Sequence, residues 1–313
     1  MPAAKGSILV SGEALIDVIP QAGPEHLHSA RLGGSPFNTA VALGRLGAPV
    51  AFCTRLSRDA QGEALMRALA ASGVSADYIA RSAKPSPLAW VTPAGGGHGP
   101  RYSFYLRGTA HARPAPLPSP LPENIAHLHV GSFAALVGRH GAQALGALSA
   151  ARGKRTTSYD PNIRPMLLPS RRAALKEVEA RVALASIVKA SDEDMLWLYP
   201  ERDPLEAARD WAGAGPGLVA LTRGGGGASA FFGTARVDAP ALKIKLADTI
   251  GAGDSFMAGL LCLMHEDGAL GARLTEVSEA NARRWLNFAG EAAAVNCSRP
   301  GADPPWRQEL ETP

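Results

Sequence analysis

A glycine-rich turn that leads into a carboxylate is the feature of this sequence with the clearest chemical use. Gly251 and Gly253 directly precede Asp254, and the apolar residues that follow have helical spacing. The N–H groups of such a turn, with the positive end of the helix dipole, can hold a transferring phosphoryl group. A carboxylate beside it can accept the proton of an attacking hydroxyl. An Asp that only caps a helix has a similar local sequence, so this segment alone leaves both interpretations open.

A second set of polar residues lies far upstream, before another helical segment. Gly33 and Gly34 would let a ligand approach the backbone closely, and Asn38 can both donate and accept hydrogen bonds. Asp17 lies in the apolar run 14–19, where a charge is costly unless it has a partner or a task. These residues are candidates for ligand binding, although Asn38 by itself could be an ordinary helix cap.

Short apolar runs alternate with segments of helical spacing along most of the chain. This alternation predicts crossover connections and therefore an α/β fold with a parallel sheet. The predicted strands are 7–11, 50–54, 127–131, 156–159, 187–188 and 218–222, and the predicted helices are 38–46, 60–72, 142–152, 171–183, 253 to about 265, and 277–295.

Two regions interrupt the alternation. Residues 13–31 are extended and apolar without helical spacing, and residues 88–107 contain two strand-like runs that flank the turn segment 95–100. The second region predicts a β-hairpin. Together, the two regions predict a small sheet outside the main one.

Composition excludes several classes of protein. The 313 residues are 46% hydrophobic, which is enough for a large core and argues against global disorder. The net charge of +4 comes without a dense basic run, which argues against a nucleic-acid partner. The three cysteines match neither a zinc pattern nor a disulfide framework, which indicates a reducing compartment. No apolar run suits a signal peptide or approaches the roughly 20 residues of a membrane span, so we expect a cytoplasmic protein without a membrane partner.

Two segments, in this order, resemble the signatures of a known family, the ribokinase-like or PfkB carbohydrate kinases. The segment 248–256 (DTIGAGDSF) resembles the C-terminal signature, and the glycine pair 33–34 with Asn38 and the segment 43–47 resembles the N-terminal one. Because the signatures lie about 200 residues apart in the right order, a chance match is improbable.

The resemblance extends over nearly the whole chain and implies a fold. The expected architecture is one domain over 1–313, a three-layer αβα sandwich with a mostly parallel central sheet. The irregular segments 13–31 and 88–107 would form a small β-sheet lid over the sugar. A closed lid excludes water and so limits wasteful hydrolysis of ATP.

The resemblance also implies roles for the first candidates. Asp254 would take the proton from the sugar hydroxyl that attacks the γ-phosphate of ATP. The anion hole would consist of the N–H groups of Gly251, Ala252 and Gly253. The sugar hydroxyls would be held by Asp17, Gly33, Gly34 and Asn38.

Three further segments resemble the family's nucleotide-binding side. Arg164 ends the segment 160–164 (DPNIR), which in the family lies near the phosphates, although it could also be an ordinary surface arginine. Segment 221–224 resembles the nucleotide-binding Thr-x-Gly, and the glycines 224–227 lack the Lys-Ser/Thr of a Walker loop. Segment 189–194 matches an Asn-x-x-Glu element that helps organise magnesium, but Ser and Asp replace its Asn and Glu. The implied ATP-binding residues are Lys189, Ser191, Thr222, Gly224 and Gly227, with Asp194 acting on Mg²⁺ indirectly.

A potassium site is a further implication of the resemblance. Asp248 and Ile250 match positions that bind a potassium ion beside the anion hole in some members of the family. Further backbone carbonyls near 298–301 would complete the site. We therefore expect potassium activation.

The lid hairpin bears on the substrate. The segment 101–110 resembles the stretch that packs aromatic residues over the sugar in bacterial fructokinases, and Tyr105 and Arg107 would contact the substrate. In related 2-keto-3-deoxygluconate kinases a Tyr and an Arg in this stretch recognise a carboxylate. The aromatic alternation could instead serve lid packing or a homodimer contact through the lid. We therefore expect fructose as the substrate, with 2-keto-3-deoxygluconate as the alternative.

Two functions of other classes are alternatives for this sequence. A catalytically silent sugar-binding regulator would keep the fold, but the intact Asp17, Asn38 and Asp254 speak against it. A dinucleotide-dependent dehydrogenase would need a Gly-x-Gly-x-x-Gly motif after an early strand, whereas Gly251 and Gly253 lie late in the chain.

Overall fold

The computed structural model describes residues 6–21, 27–92 and 101–310. The helices within these residues are α1 (Ser35–Arg45), α2 (Ala60–Ala71), α3 (Gly138–Ala151), α4 (Arg171–Val182), α5 (Asp192–Leu198), α6 (Pro204–Gly213), α7 (Ala252–Glu266) and α8 (Glu279–Cys297). The strands are β1 (Ser7–Ser11), β2 (Leu15–Pro20), β3 (His28–Gly33), β4 (Val50–Ser57), β5 (Ile79–Ser82), β6 (Leu88–Thr92), β7 (Arg101–Tyr105), β8 (Ile125–Gly131), β9 (Thr156–Asp160), β10 (Ile187–Ser191), β11 (Leu218–Thr222), β12 (Ala228–Phe232) and β13 (Ala235–Ala239).

The central sheet confirms the predicted α/β class. In the described part of the chain it has nine strands in the order β13-β12-β11-β10-β9-β8-β1-β4-β5. The pairs from β5 to β11 are parallel, while β12 and β13 are antiparallel. Strands 7–11 and 218–222 were predicted residue for residue. The edge strand β5, the hairpin β12–β13 and the helices α5 and α6 were not predicted.

Helices cover both faces of this sheet, as expected for the three-layer sandwich. One core lies beneath α1, α2, α7 and α8, and the other beneath α3 to α6. Alternate residues of β1 show the division, because Ile8 and Val10 join the first core while Leu9 joins the second. Both sides of the central strands are therefore dry, which explains their continuous apolar runs.

The predicted second sheet is also present. Its strands have the order β3-β2-β6-β7, and β6 and β7 form the predicted hairpin with Leu88 opposite Tyr105. The turn predicted at 95–100 lies outside the described residues. Phe104 of β7 packs on Phe133 of the main body at a ring distance of 5.4 Å, so the sheet lies over the main domain as a lid.

The parallel strands end at one edge of the central sheet. The loops after β1, β8, β9, β10 and β11 leave from this edge, which is where open α/β sheets bind ligands. In the parts of the chain that the structure describes, no helix is both long and apolar enough to cross a bilayer.

Candidate active site

Asp254 lies where the beginnings of α1 and α7 meet. It belongs to the first turn of α7 and is 7% exposed. Its Oδ1 accepts a hydrogen bond from Ser35 Oγ at 2.6 Å, and its Oδ2 accepts one from Asn38 Nδ2 at 2.8 Å. The N-cap of α7 is Gly251 and no side chain caps the helix, so Asp254 is not a helix cap. Two donors from α1 instead fix its orientation and leave further lone pairs free to accept a proton.

The glycine turn before Asp254 has the shape of an anion hole. Gly251 has a φ of 77°, a left-handed conformation that glycine adopts without strain. The described residues supply no acceptor for the N–H groups of Gly251 and Gly253, whereas the N–H of Ala252 donates to the Thr249 carbonyl at 3.2 Å. The expected set of three donors is therefore reduced to two free groups in this conformation. Both lie at the positive end of a 15-residue helix.

The buried ion pair of Lys189 and Asp160 lies beside this turn. Lys189 Nζ and Asp160 Oδ2 are 2.9 Å apart, and both side chains are buried. A Cβ atom added to Gly253 would lie only 2.7 Å from Nζ, which places the ammonium group against the turn. Burial lowers the pKa of Lys189, but the carboxylates of Asp160, Asp194 and Asp254 outweigh burial and raise it overall. Lys189 therefore stays protonated and places a positive charge beside the anion hole.

The glycine pair before α1 serves close packing as well as ligand access. A Cβ on Gly33 would overlap Asp17 Oδ2, so the aspartate lies directly over this glycine. Gly34 has a φ of 104°, and a Cβ there would lie 2.8 Å from the Glu13 carbonyl oxygen. Burial raises the pKa of Asp17 to about 6, although the positive charge of Arg164 opposes this rise. The loop after β1, the lid and α1 thus converge on one pocket.

The register of β7 separates Tyr105 and Arg107 from the other predicted substrate residues. Tyr105 is 58% exposed and lies on the outer face of the lid, and Arg107 beyond the strand is exposed as well. Tyr102 and Phe104 alternate with Tyr105 and lie on the inner face, with their rings 6.1 Å apart. Because side chains of a strand alternate between its faces, the aromatic surface over the pocket comes from these two residues. The structure thus places the predicted Tyr105 on the outer face of β7, and Tyr102 and Phe104 on the inner face.

Arg164 lies in the loop after β9, at the edge of the central sheet where the parallel strands end. It is partly buried, and its Nη1 donates to the Ile163 carbonyl at 3.0 Å. Its positive charge acts on Glu13 and Asp17 and on Tyr102 of the lid. An isolated surface position, the alternative considered for this arginine, does not agree with these neighbours.

Ser191 and Asp194 form a reciprocal helix cap. Ser191 Oγ accepts from the N–H of Asp194 at 3.0 Å, and Asp194 Oδ2 accepts from the N–H of Ser191 at 2.9 Å. Asp194 Oδ1 accepts from the N–H of Ile163 at 2.7 Å, which ties the loop that carries Arg164 to the start of α5. The shorter Asp therefore completes a capping box that the sequence comparison with Asn-x-x-Glu did not predict.

The residues proposed for nucleotide binding follow β11 at the same edge of the sheet. Thr222 ends the strand, and its Oγ1 lies 3.4 Å from the Ala190 carbonyl oxygen. Gly224 and Gly227 have positive φ angles of 48° and 79°, and the N–H of Arg223 donates to the Gly227 carbonyl. This tight turn lies beside the strand that carries Lys189, since β10 and β11 are paired.

Hydrogen bonds hold the segment 248–250, which lies just before the glycine turn. Asp248 accepts from the N–H of Ile250 at 3.0 Å and from the N–H of Gly301 at 2.9 Å. The Ile250 carbonyl accepts from Asn296 Nδ2 at 2.7 Å, while Asn296 Oδ1 is buried without a partner. The carbonyl of Ile250, a predicted potassium position, thus lies beside an unpaired buried oxygen of Asn296, a residue that the sequence did not predict for this site.

Comparison with known proteins agrees with this geometry. A family model described as pfkB family carbohydrate kinase matches residues 5–309. The chain belongs to the pfkB family of carbohydrate kinases. It is a sugar kinase, and its three-layer fold with a lid is the one that the resemblance implied.

Individual relatives of this pfkB kinase are fructokinases. A protein named fructokinase from Rhizobium leguminosarum bv. trifolii is 36% identical over 270 residues, which cover 85% of this chain and 82% of that protein. The crystal structure of fructokinase with bound ATP from Xylella fastidiosa aligns with a TM-score of 0.81 at 25% identity and covers 98% of each chain. A double-mutant fructokinase from Vibrio cholerae, in a fructose, ADP and potassium ion bound form, shares the fold with a TM-score of 0.80 at 22% identity over 96% and 95% of the two chains.

Three residues of the kinase site were missed from the sequence. Ser35 directly follows the glycine pair, and its side chain is too common at helix starts to stand out. The sequence predicts Tyr105 instead of Tyr102 as the residue over the pocket. The face on which each side chain lies depends on the register of this short hairpin strand, which the sequence does not give. Glu13 gave the clearest signal, since it is a charged residue in an otherwise apolar run directly after a glycine.

Proposed function

We propose that this pfkB kinase transfers the γ-phosphoryl group of ATP to a hydroxyl group of fructose. The contact between α1 and Asp254 carries the proposal. One carboxylate is held by Ser35 and Asn38 on the sugar side, and it directly follows the glycine turn on the phosphate side. The 36% identity to the fructokinase of Rhizobium leguminosarum supports the choice of sugar.

The chemistry follows from these positions. Asp254 accepts the proton of the attacking hydroxyl as the oxygen–phosphorus bond forms. The free N–H groups of Gly251 and Gly253 and the ammonium of Lys189 stabilise negative charge on the phosphoryl oxygens. Because they are held in place before the reaction, little reorganisation is needed at the transition state.

The lid supports a neutral sugar. Asp17 can accept hydrogen bonds from two hydroxyl groups, and Tyr102 and Phe104 offer an apolar surface for the carbon face of a sugar ring. Tyr105 lies on the outer face of the lid and Arg107 is exposed, so the predicted recognition of a carboxylate by these two residues has no support. Fructose is therefore favoured over 2-keto-3-deoxygluconate.

Magnesium and potassium are part of the proposal. Magnesium enters with ATP and neutralises phosphate charge. Both oxygens of Asp194 already accept hydrogen bonds from the protein, which fits an indirect role through water and not direct coordination. Potassium fits beside Ile250, where Asn296 Oδ1 lacks a partner and Asp248 fixes the backbone.

A sugar panel tests the proposal. ADP release is measured with magnesium and potassium present, using fructose, 2-keto-3-deoxygluconate, glucose and ribose, and the phosphorylated product is identified by mass spectrometry. We expect the highest kcat/KM with fructose. A tenfold preference for the keto acid would contradict the choice of sugar, and ADP release that does not depend on any sugar would contradict the kinase assignment.

The outer face of the lid fits a homodimer contact. Trp90 is 38% exposed and Tyr105 is 58% exposed, and both lie on this face. Pairing of two lids would remove these aromatic surfaces from water. Light scattering of the wild type and of Trp90→Asp tests this proposal, with a dimer expected only for the wild type.

A further inference from the structure

Glu13 is a buried carboxyl group that the proposed mechanism does not use. It directly follows β1 in the loop to the lid and is only 2% exposed. Its Oε2 is buried and has no hydrogen-bond partner. A buried acceptor without a partner destabilises the folded state, and more so when it is charged. Such a group is expected to gain a partner in some state of the protein.

The surroundings of Glu13 lie within the active site. Its backbone carbonyl packs against Gly34, directly behind the start of α1. Ser132, whose side chain lowers the pKa of Glu13, has a φ of 61° directly after β8, an uncommon conformation for a residue other than glycine. Backbone strain of this kind concentrates at functional sites. Burial raises the pKa of Glu13 most, and the negative charge of Asp254 raises it further.

Arg164 is the cation that acts on Glu13. Its guanidinium charge lowers the pKa of Glu13, whereas burial, the largest cause, raises that pKa to about 7. In the described part of the chain no carboxylate oxygen lies within 4 Å of Arg164, and its hydrogen bonds go to backbone carbonyls of its own loop. Among the described residues, Arg164 thus has no carboxylate partner and Glu13 Oε2 has no hydrogen-bond partner.

We propose that Glu13 is the positioning residue for Arg164. When sugar and ATP occupy the pocket, Oε2 accepts a hydrogen bond from the guanidinium group, which fixes Arg164 against the substrate. The inference rests on the proposed kinase function and adds a residue to its sugar side. The side chain of Arg164 is partly exposed and can change its rotamer when substrates bind, whereas Glu13 is held in the interior by burial.

A double-mutant cycle tests the pairing. The variants are Glu13→Gln, which keeps the shape of the side chain, Arg164→Ala, and the combination, each measured for kcat and KM with fructose and ATP. We expect Glu13→Gln to lower kcat/KM by about 10–100-fold in the wild-type background, the range of a charge-assisted hydrogen bond. In the Arg164→Ala background the same substitution should change kcat/KM by less than threefold, because its partner is absent.

Controls separate positioning from folding. Glu177→Gln removes the carboxylate that pairs with Arg181 on α4, remote from the pocket, and should leave the kinetics unchanged. The melting temperature of Glu13→Gln at pH 8 should not fall, since the raised pKa means that the ionised carboxylate destabilises the folded state above pH 7. Equal losses in both backgrounds, or no loss in either, would overturn the proposal.

The pH profile gives an independent readout. Pairing requires ionised Glu13, so kcat/KM of the wild type should rise as the pH increases through about 7. This limb of the pH profile is separate from the rise in kcat/KM near pH 6 that is expected from ionisation of Asp17. Glu13→Gln should lose only the limb near 7. If that variant does not fold, Arg164→Ala decides, because ionisation of Glu13 should no longer affect kcat/KM without its partner, so the limb near 7 should be lost, and a retained limb refutes the pairing. Wild-type protein without sugar-dependent ADP release would instead refute the proposed function itself.

Discussion

Replacement of Asp254 by Asn removes the proposed base with little change in structure. The Asn carbonyl oxygen can still accept from Asn38 Nδ2, and its amide can donate to Ser35 Oγ, so both contacts with α1 survive. The negative charge that raises the pKa of Glu13 and Asp17 disappears. The melting temperature should therefore stay the same or rise.

The kinetic effect should be large and confined to the chemical step. General-base catalysis contributes roughly 10²–10⁴-fold, which corresponds to about 2.7–5.4 kcal/mol of transition-state stabilisation. We expect kcat for fructose phosphorylation to fall by that factor, with the KM for ATP within about threefold of the wild-type value.

The assay is ADP release coupled to NADH oxidation, with direct detection of the sugar phosphate. Asp203→Asn serves as the matched control, since Asp203 is an exposed helix cap on α6, and its kcat should equal that of the wild type. If Asp254→Asn kept kcat within threefold of the wild type, Asp254 would not be the base. A large drop in melting temperature would show that the substitution acts on folding and not on proton transfer.

Three further outcomes are expected. Gly253→Ala should lower kcat by roughly tenfold or more, because the Cβ of the new alanine would displace Lys189 Nζ. A displacement of about 1 Å is enough for a loss of this size. The kcat is measured from initial rates at saturating substrate concentrations. The kcat/KM for fructose should fall as the pH decreases through about 6, because buried Asp17 becomes protonated there and can no longer accept hydrogen bonds from two hydroxyl groups. Asp17→Asn should abolish this pH dependence near 6. Ser191→Ala should destabilise the protein by about 1 kcal/mol through loss of the α5 cap, seen as a lower melting temperature in calorimetry, with kcat changed less than fivefold.

Potassium dependence has its own measurement. Replacement of potassium by tetramethylammonium at constant ionic strength should lower kcat, because the unpaired Asn296 Oδ1 beside Ile250 fits a monovalent cation. Equal rates with both cations would argue against a potassium site.

The sequence alone was sufficient to predict those features that depend on one short segment of the chain. The apolar runs at 7–11 and 218–222 predicted β1 and β11 with their bounds, because a buried parallel strand is continuous in hydrophobicity. The glycine turn before Asp254 was recognisable for the same reason, since its free N–H groups and positive φ belong to one short segment. The lid was predicted as well, because alternating residues mark a hairpin.

Tertiary structure alone decided matters that depend on distance between segments. The choice between Tyr102 and Tyr105 required the register of β7 on the lid, since a shift of one residue exchanges the faces of a strand. Likewise, nothing in the sequence around Asp254 shows that Ser35 and Asn38 orient its carboxylate, because the partners are more than 200 positions away in the chain. The sequence thus determined which residues can accept a proton or hold an anion. Folding decided which of them meet, because burial and hydrogen bonding depend on segments that come together only in the folded protein.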